Sequence, residues 1–258
     1  MNCRNVCKLA VLVLVALATT CTICEAMISE DFEGLSGDTL PAGWILADNN
    51  GGGAGPVYAN ATPGAYGTSD TAAWLGPNNL VHIGETIPGG WFQTPDADAF
   101  SGAGAFSGSF DLSFDSTPSG HNDAVLVFGD LNARDFYWVV FCEIGAACEV
   151  WRTDDNSTRT QVVSSFVGSD LSCNTWYHAE FAWTPTAGTV GDFSLELWEG
   201  ATKRGEFNTG LTMDNVVSFG FGSCNDIGRF DNISIIPEPA TLTLLALGGL
   251  GLLRRRRG

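Results

Sequence analysis

Hydrophobic and polar residues alternate with a period of two along much of the chain. Phe106, Phe110, Leu112 and Phe114 share one parity, while Ser107, Ser109, Asp111 and Ser113 take the other. Successive side chains of a strand point to opposite faces, so the pattern predicts a strand half in a core and half in water. From Thr175 to Thr184 the pattern repeats: Tyr177, Ala179, Phe181 and Trp183 face one way, Trp176, His178 and Glu180 the other. Further strands are predicted over 123–130, 135–143, 148–153, 191–199, 215–222 and 229–236. Gly, Pro, Asn and Asp punctuate these runs, and no helical period intervenes to make parallel crossovers. The predicted fold class is therefore all-β, an antiparallel two-sheet sandwich. The segment 47–70, rich in Gly, Ala and Asn, is expected to be a surface excursion.

The two ends break the pattern. Arg4 and Lys8 precede a ten-residue apolar run, Leu9 to Ala18, followed by small and polar residues up to Ala26. This is the layout of a secretory signal peptide, with cleavage expected after Ala26. Its apolar helix covers about 15 Å, half of a hydrocarbon core, too short for a lasting anchor. At the other end Pro237, Glu238 and Pro239 precede fourteen residues, Ala240 to Leu253, of apolar character, and then Arg254, Arg255, Arg256 and Arg257. Prolines break the backbone sharply before this stretch, which at about 21 Å of helix barely spans a membrane. The arginines favour the cytoplasmic side and act as a membrane stop, leaving the preceding domain on the far side.

This tripartite end closely resembles the PEP-CTERM sorting signal. The resemblance implies recognition near Pro237, Glu238 and Pro239 by an exosortase-type membrane transpeptidase. It also implies export across the inner membrane, a transient membrane anchor before processing, and a cell-surface or extracellular-matrix destination associated with extracellular polysaccharide and biofilm. The expected organisation is a signal peptide at 1–26, one β-sandwich domain at 27–236 and a sorting segment at 237–258, with a helix at each end.

Charge narrows the partners. Between residues 27 and 236 there are 27 acidic and six basic side chains, a formal charge of −21. Such a surface repels phosphate backbones, so nucleic-acid binding is excluded.

Within the body, Ile28 to Trp44 (ISEDFEGLSGDTLPAGW), the stretch WYHAEFAWTPTAGTVGDFSLELWEG, the Gly-Phe-Gly near 220 and Arg229 to Ile233 resemble concanavalin-like or laminin-G-like jelly rolls. That likeness implies a jelly-roll sandwich whose functions range from lectins to glycosidases. It also implies a structural calcium ion shared by Glu33, with Asp31 nearby, and Asp231. Asp231 has the parity of Ile233 and Ile235, which points it inward, where a buried carboxylate needs donors or a cation. An alternative is that Asp231 accepts turn amides.

Four of the eight cysteines depart with the signal peptide, leaving Cys142, Cys148, Cys173 and Cys224, an even number in an exported domain. A hairpin turning around Gly145 would place positions summing to 290 opposite one another and join Cys142 to Cys148, with Cys173 to Cys224 following by elimination. All eight tryptophans lie in the body. Trp176 and Trp198, on the less apolar parity of their strands, are candidates for a platform on which sugars stack.

Catalytic motifs are absent. Glu30-Asp31-Phe32-Glu33 does not reproduce the Glu-x-Asp-x-x-Glu of sandwich-fold glucanases. His82, His121 and His178 are too few and scattered for a metal cage, and no nucleophile elbow or phosphate loop occurs. The function expected is a non-catalytic, lectin-like surface or matrix protein. A polysaccharide-active hydrolase or lyase on the same scaffold and a purely structural coat component are the alternatives.

Overall fold

The alternating sequence becomes fifteen strands among the described residues. A computed structural model describes residues 28–33, 35, 40–48, 57–60, 71–75, 90–94, 104–114, 123–130, 135–142, 148–154, 158–213, 216, 218–223 and 228–237. In chain order the strands are β1 Ile28–Glu30, β2 Ile45–Asp48, β3 Val57–Asn60, β4 Thr71–Leu75 and β5 Gly90–Gln93. They continue with β6 Phe106–Phe114, β7 Asp123–Asp130, β8 Asp135–Cys142, β9 Glu149–Asp154 and β10 Thr158–Val163. The last are β11 Tyr177–Ala187, β12 Val190–Glu199, β13 Thr202–Thr212, β14 Ser218–Ser223 and β15 Gly228–Pro237.

Two antiparallel sheets result. The first runs β13-β12-β11-β6-β15-β4-β3, with β1 pairing with a separate stretch of β15. The second runs β10-β9-β8-β7-β14-β5-β2. This is the predicted two-sheet sandwich, and no helix occurs among the described residues. The expected terminal helices fall outside them, and no described helix is long and apolar enough to cross a membrane.

The core lies between the sheets. From the first come Phe106, Phe110, Leu112, Tyr177, Phe181, Phe193 and Leu195; from the second come Leu126, Phe128, Val139, Phe141, Phe219 and Phe221. Phe110 sits at the centre: its ring lies 5.8 Å from Phe141 and 5.3 Å from Phe221 on the facing sheet, both nearly edge-on. Such pairs contribute about 0.5–1.5 kcal/mol each beyond the area they bury. Gly108 is a glycine because Phe181 lies directly opposite: a Cβ there would come within 2.5 Å of that ring. β7 and β8 are apolar on both faces, and Val125, Val127, Phe136, Trp138 and Val140 form a second buried cluster on the outer side of the second sheet.

Three expectations are corrected. Segment 47–70 is not simply an excursion, because Val57–Asn60 pairs with β4 and Ile45–Asp48 pairs with β5. Strand pairing there overrides a Gly-rich neighbourhood with weak β propensity.

The expected Cys142–Cys148 bridge is absent: Cys142, Cys148 and Cys173 carry no disulfide, and Cys224 lies outside the described residues. The hairpin forms, but with Phe136 opposite Thr153, Trp138 opposite Trp151 and Val140 opposite Glu149, a register one residue from that expected. A one-residue slip exchanges faces. Cys148 joins Val150 in the inter-sheet core, whereas Cys142 has the parity of Trp138 and Val140 on the outer side. The Cys148 thiol donates to the Cys142 carbonyl at 3.9 Å.

Asp231 does not share the face of Ile233 and Ile235. A bulge between Asp231 and Ser234, with Asn232 at φ 49°, breaks the alternation. Asp231 is fully buried, but it lies opposite Asp111 on the outer side.

Candidate functional site

Register across five strands of the first sheet builds three rows on its outer face. Cross-strand partners share a face, so each row reads as a line of neighbouring side chains. One row is Asp231, Asp111, His178, Trp198 and Lys203; the next is Ser234, Ser109, Glu180, Glu196 and Glu206; the third is Ile236, Ser107, Ala182, Ser194 and Asn208. The last two rows line a groove of about 860 Å³. Its floor is low because serine and alanine are short, and three glutamates stand above it at the strand spacing of about 4.8 Å. The volume falls within the range of small-molecule and saccharide sites.

Like charges opposite one another are destabilising, and Lys203 relieves part of that here. Its Nζ donates to Glu196 Oε1 and to Glu206 Oε2, each at 2.8 Å, and lies 4.9 Å from the centre of the Trp198 ring. The hydrogen bond to Glu196 and then that to Glu206 raise the Lys203 pKa above its ordinary value, so the ammonium persists. Glu180, with 59% of its side chain exposed, receives a longer contact from His178 Nε2 at 3.6 Å.

A part-buried network lies in the row beside the glutamates. His178 Nδ1 and Asp111 Oδ1 are 2.6 Å apart, and Asn232 Nδ2 donates to Asp111 Oδ2 at 2.8 Å. The Asn232 amide donates in turn to Asp231 Oδ1 at 2.7 Å, so the left-handed turn of the bulge serves both aspartates. Asp111 is only 1% exposed. Its hydrogen bond is the main reason the His178 pKa is raised, against the opposing pull of burial. The alternation marked His178 and Asp111 as polar-side residues, but their meeting across 67 positions is a matter of register.

The sequence-derived site residues fare differently. Trp176 is buried, only 8% exposed, and offers no open face. Trp198 is half-buried beneath the Lys203 ammonium. Glu33 is exposed in the turn after β1, where its amide donates to Asp31 Oδ1 at 3.0 Å. Among the described residues no three His, Cys, Asp or Glu side chains gather as a metal cage. Glu196 falls in a predicted strand, but Glu206 and Lys203 come from β13, whose polar sequence TKRGEFNTGLT gave no strand signal. Pro237 is the last residue of β15, opposite Phe106; Glu238, Pro239 and the arginines lie outside the described residues.

Comparison with known proteins places a sorting motif and a fold. Residues 236–257 match the PEP-CTERM protein-sorting motif. Among curated proteins none matches the chain. Similar solved structures include a PL-14 alginate lyase from Aplysia kurodai at 11% identity and TM-score 0.54, covering 83% of this chain and 99% of that one. The cellulose induced protein Cip1 follows at 14% identity and TM-score 0.50, covering 81% and 96%. The carbohydrate-binding module CBM66 of Bacillus subtilis has 13% identity and TM-score 0.49, covering 75% and 95%. At these identities the likeness shows the jelly-roll fold alone.

Proposed function

We propose that the chain is a matrix or surface protein, exported and sorted by an exosortase-type system, whose groove on the first sheet holds extracellular polysaccharide without cleaving it. The groove itself carries the reading: a low floor of short side chains with upright polar walls, on a rigid sheet, suits an extended chain lying across the strands. Its position supports the same reading, since Ser234 and Ile236 line the groove and the sorting motif begins at residue 236. The names of structures that share the fold point the same way: one is an alginate lyase, another a cellulose induced protein.

Lys203 argues against glycoside hydrolysis. A retaining glycosidase holds two carboxylates about 5–5.5 Å apart with the scissile bond between them. Between Glu196 and Glu206 that space holds an ammonium hydrogen-bonded to both. A second reading, a polysaccharide-active hydrolase or lyase, draws on His178, which a buried aspartate orients as it would a general base.

The test is a glycan array probed with the exported chain lacking residues 1–26, with calcium and with chelator, followed by reducing-end and unsaturated-product assays on every polysaccharide retained. Retention without product is expected. Product release would transfer the assignment to the enzyme. Absence of retention under both conditions would remove the groove as a glycan site, and retention only with calcium would restore a metal to it.

A further inference from the structure

Resting on the groove as a glycan site, we infer that its ligand is an amine-bearing polysaccharide, such as a partly de-N-acetylated amino-sugar polymer, held by charge rather than by aromatic stacking.

Saccharide sites commonly rely on open aromatic faces, and this groove does not provide them. Trp176 is buried, Lys203 stands over Trp198, Phe181 is 3% exposed beneath the floor, and Phe207, the other aromatic lining the groove, is partly buried with its ring packed on Phe166 and Phe193. What the groove offers instead is carboxylate. Glu180, Glu196 and Glu206 cross three adjacent strands in one line, with side-chain exposures of 59, 39 and 64%. The spacing of about 4.8 Å between strands is close to the length of one pyranose unit, so consecutive sugars can meet consecutive carboxylates.

Lys203 already shows how this surface receives a primary amine. Its ammonium takes two carboxylate oxygens at 2.8 Å and an indole face at 4.9 Å. Such a charge-assisted, cation–π arrangement is the recognition a sugar ammonium requires. Glu180, next in line and largely exposed, is left to serve a ligand. An oligouronate would set its own carboxylates against the row, with one lysine to offset them. The body's formal charge of −21 acts in the same direction, drawing in polycations and repelling polyanions.

The experiment measures binding of the exported chain to three oligomers of equal length: glucosamine with free amines, its fully N-acetylated counterpart, and a uronic acid. The free-amine oligomer is expected to bind at least about tenfold more tightly than the acetylated one, with affinity falling as salt rises, and the uronic acid not at all. The double variant Glu180→Gln/Glu206→Gln should lose about tenfold, while Asp130→Asn/Asp170→Asn, an equal charge change at sites outside the groove, should stay within about twofold. Thermal midpoints confirm that both variants are folded. Equal losses in the two variants overturn the inference by showing diffuse attraction to an acidic surface. Preference for the acetylated or the uronic oligomer overturns it while leaving the groove as a glycan site. Failure of all three, with no other array glycan retained, overturns the groove reading itself.

Discussion

Replacing His178 with alanine removes the side chain paired with the buried Asp111 carboxylate on the outer face. Asp111 is 1% exposed and would keep its hydrogen bond from Asn232 Nδ2 while losing the one from His178. Removing one member of a buried pair costs about 3–5 kcal/mol, and a charged hydrogen bond contributes about 1.5–3. His178 is 29% exposed, so water can reach the space it vacates, and about 2 kcal/mol is expected. With a urea m-value of about 2 kcal/mol per molar, the unfolding midpoint falls by about 1 M. The pH dependence has a definite sign. Hydrogen bonding to Asp111 raises the His178 pKa on folding, so the contribution is fully present below the unfolded value near 6.5 and declines as pH rises through the folded value. Groups facing the imidazole are Asp111 from β6, Glu180 from its own strand, Trp198 and then Lys203 across β12 and β13, and Asp231 beyond Asp111 on β15. Urea titrations of the parent and of His178→Ala at pH 5.5, 7 and 9 measure the gap between them. The gap should narrow at pH 9 without closing, because the neutral ring still hydrogen-bonds to the carboxylate. A gap of constant size across this range would refute the reasoning, and so would a double variant Asp111→Asn/His178→Ala no more stable than His178→Ala.

Other expectations are simpler. Gly108→Ala should destabilise by about 1–3 kcal/mol, because its Cβ would lie 2.5 Å from Phe181 Cζ and 2.7 Å from the Ser234 carbonyl, whereas Gly168→Ala, with nothing within 4 Å, should change stability by under about 0.5; thermal or urea unfolding of both decides. Alkylation of the denatured, unreduced protein followed by mass spectrometry should label Cys142, Cys148 and Cys173, and protection of Cys142 together with Cys148 would mean that the register is wrong. Deleting Arg254 to Arg257 is expected to disturb membrane retention during sorting, read by fractionation and by the size of the processed chain. Unaltered processing would count against the arginines as a stop.

Much of the fold was legible because a strand's two faces are written locally. The parity of Phe106, Phe110, Leu112 and Phe114 placed them in the core, and the same parity in β11 placed Tyr177, Phe181 and Trp183 there. The groove was legible only in outline. His178 and Glu180 were marked as outward, and so were Ser107, Ser109 and Asp111, but nothing local says which outward residues become neighbours. β13 was missed because an edge strand with one well-buried residue near its end carries almost no alternation.

By itself the sequence determined the period of each strand, the acidity of the body and the sorting motif at its end, since each depends on residues near one another in the chain. Tertiary structure decided the rest. Register brought Glu180, Glu196 and Glu206 into line and set Asp111 against His178; one residue of slip in the β8–β9 hairpin separated Cys142 from Cys148; one left-handed residue at Asn232 turned Asp231 away from the face its parity assigned. Alternation repeats every second residue and looks the same in every register, so the choice among registers falls to packing between segments distant in the chain.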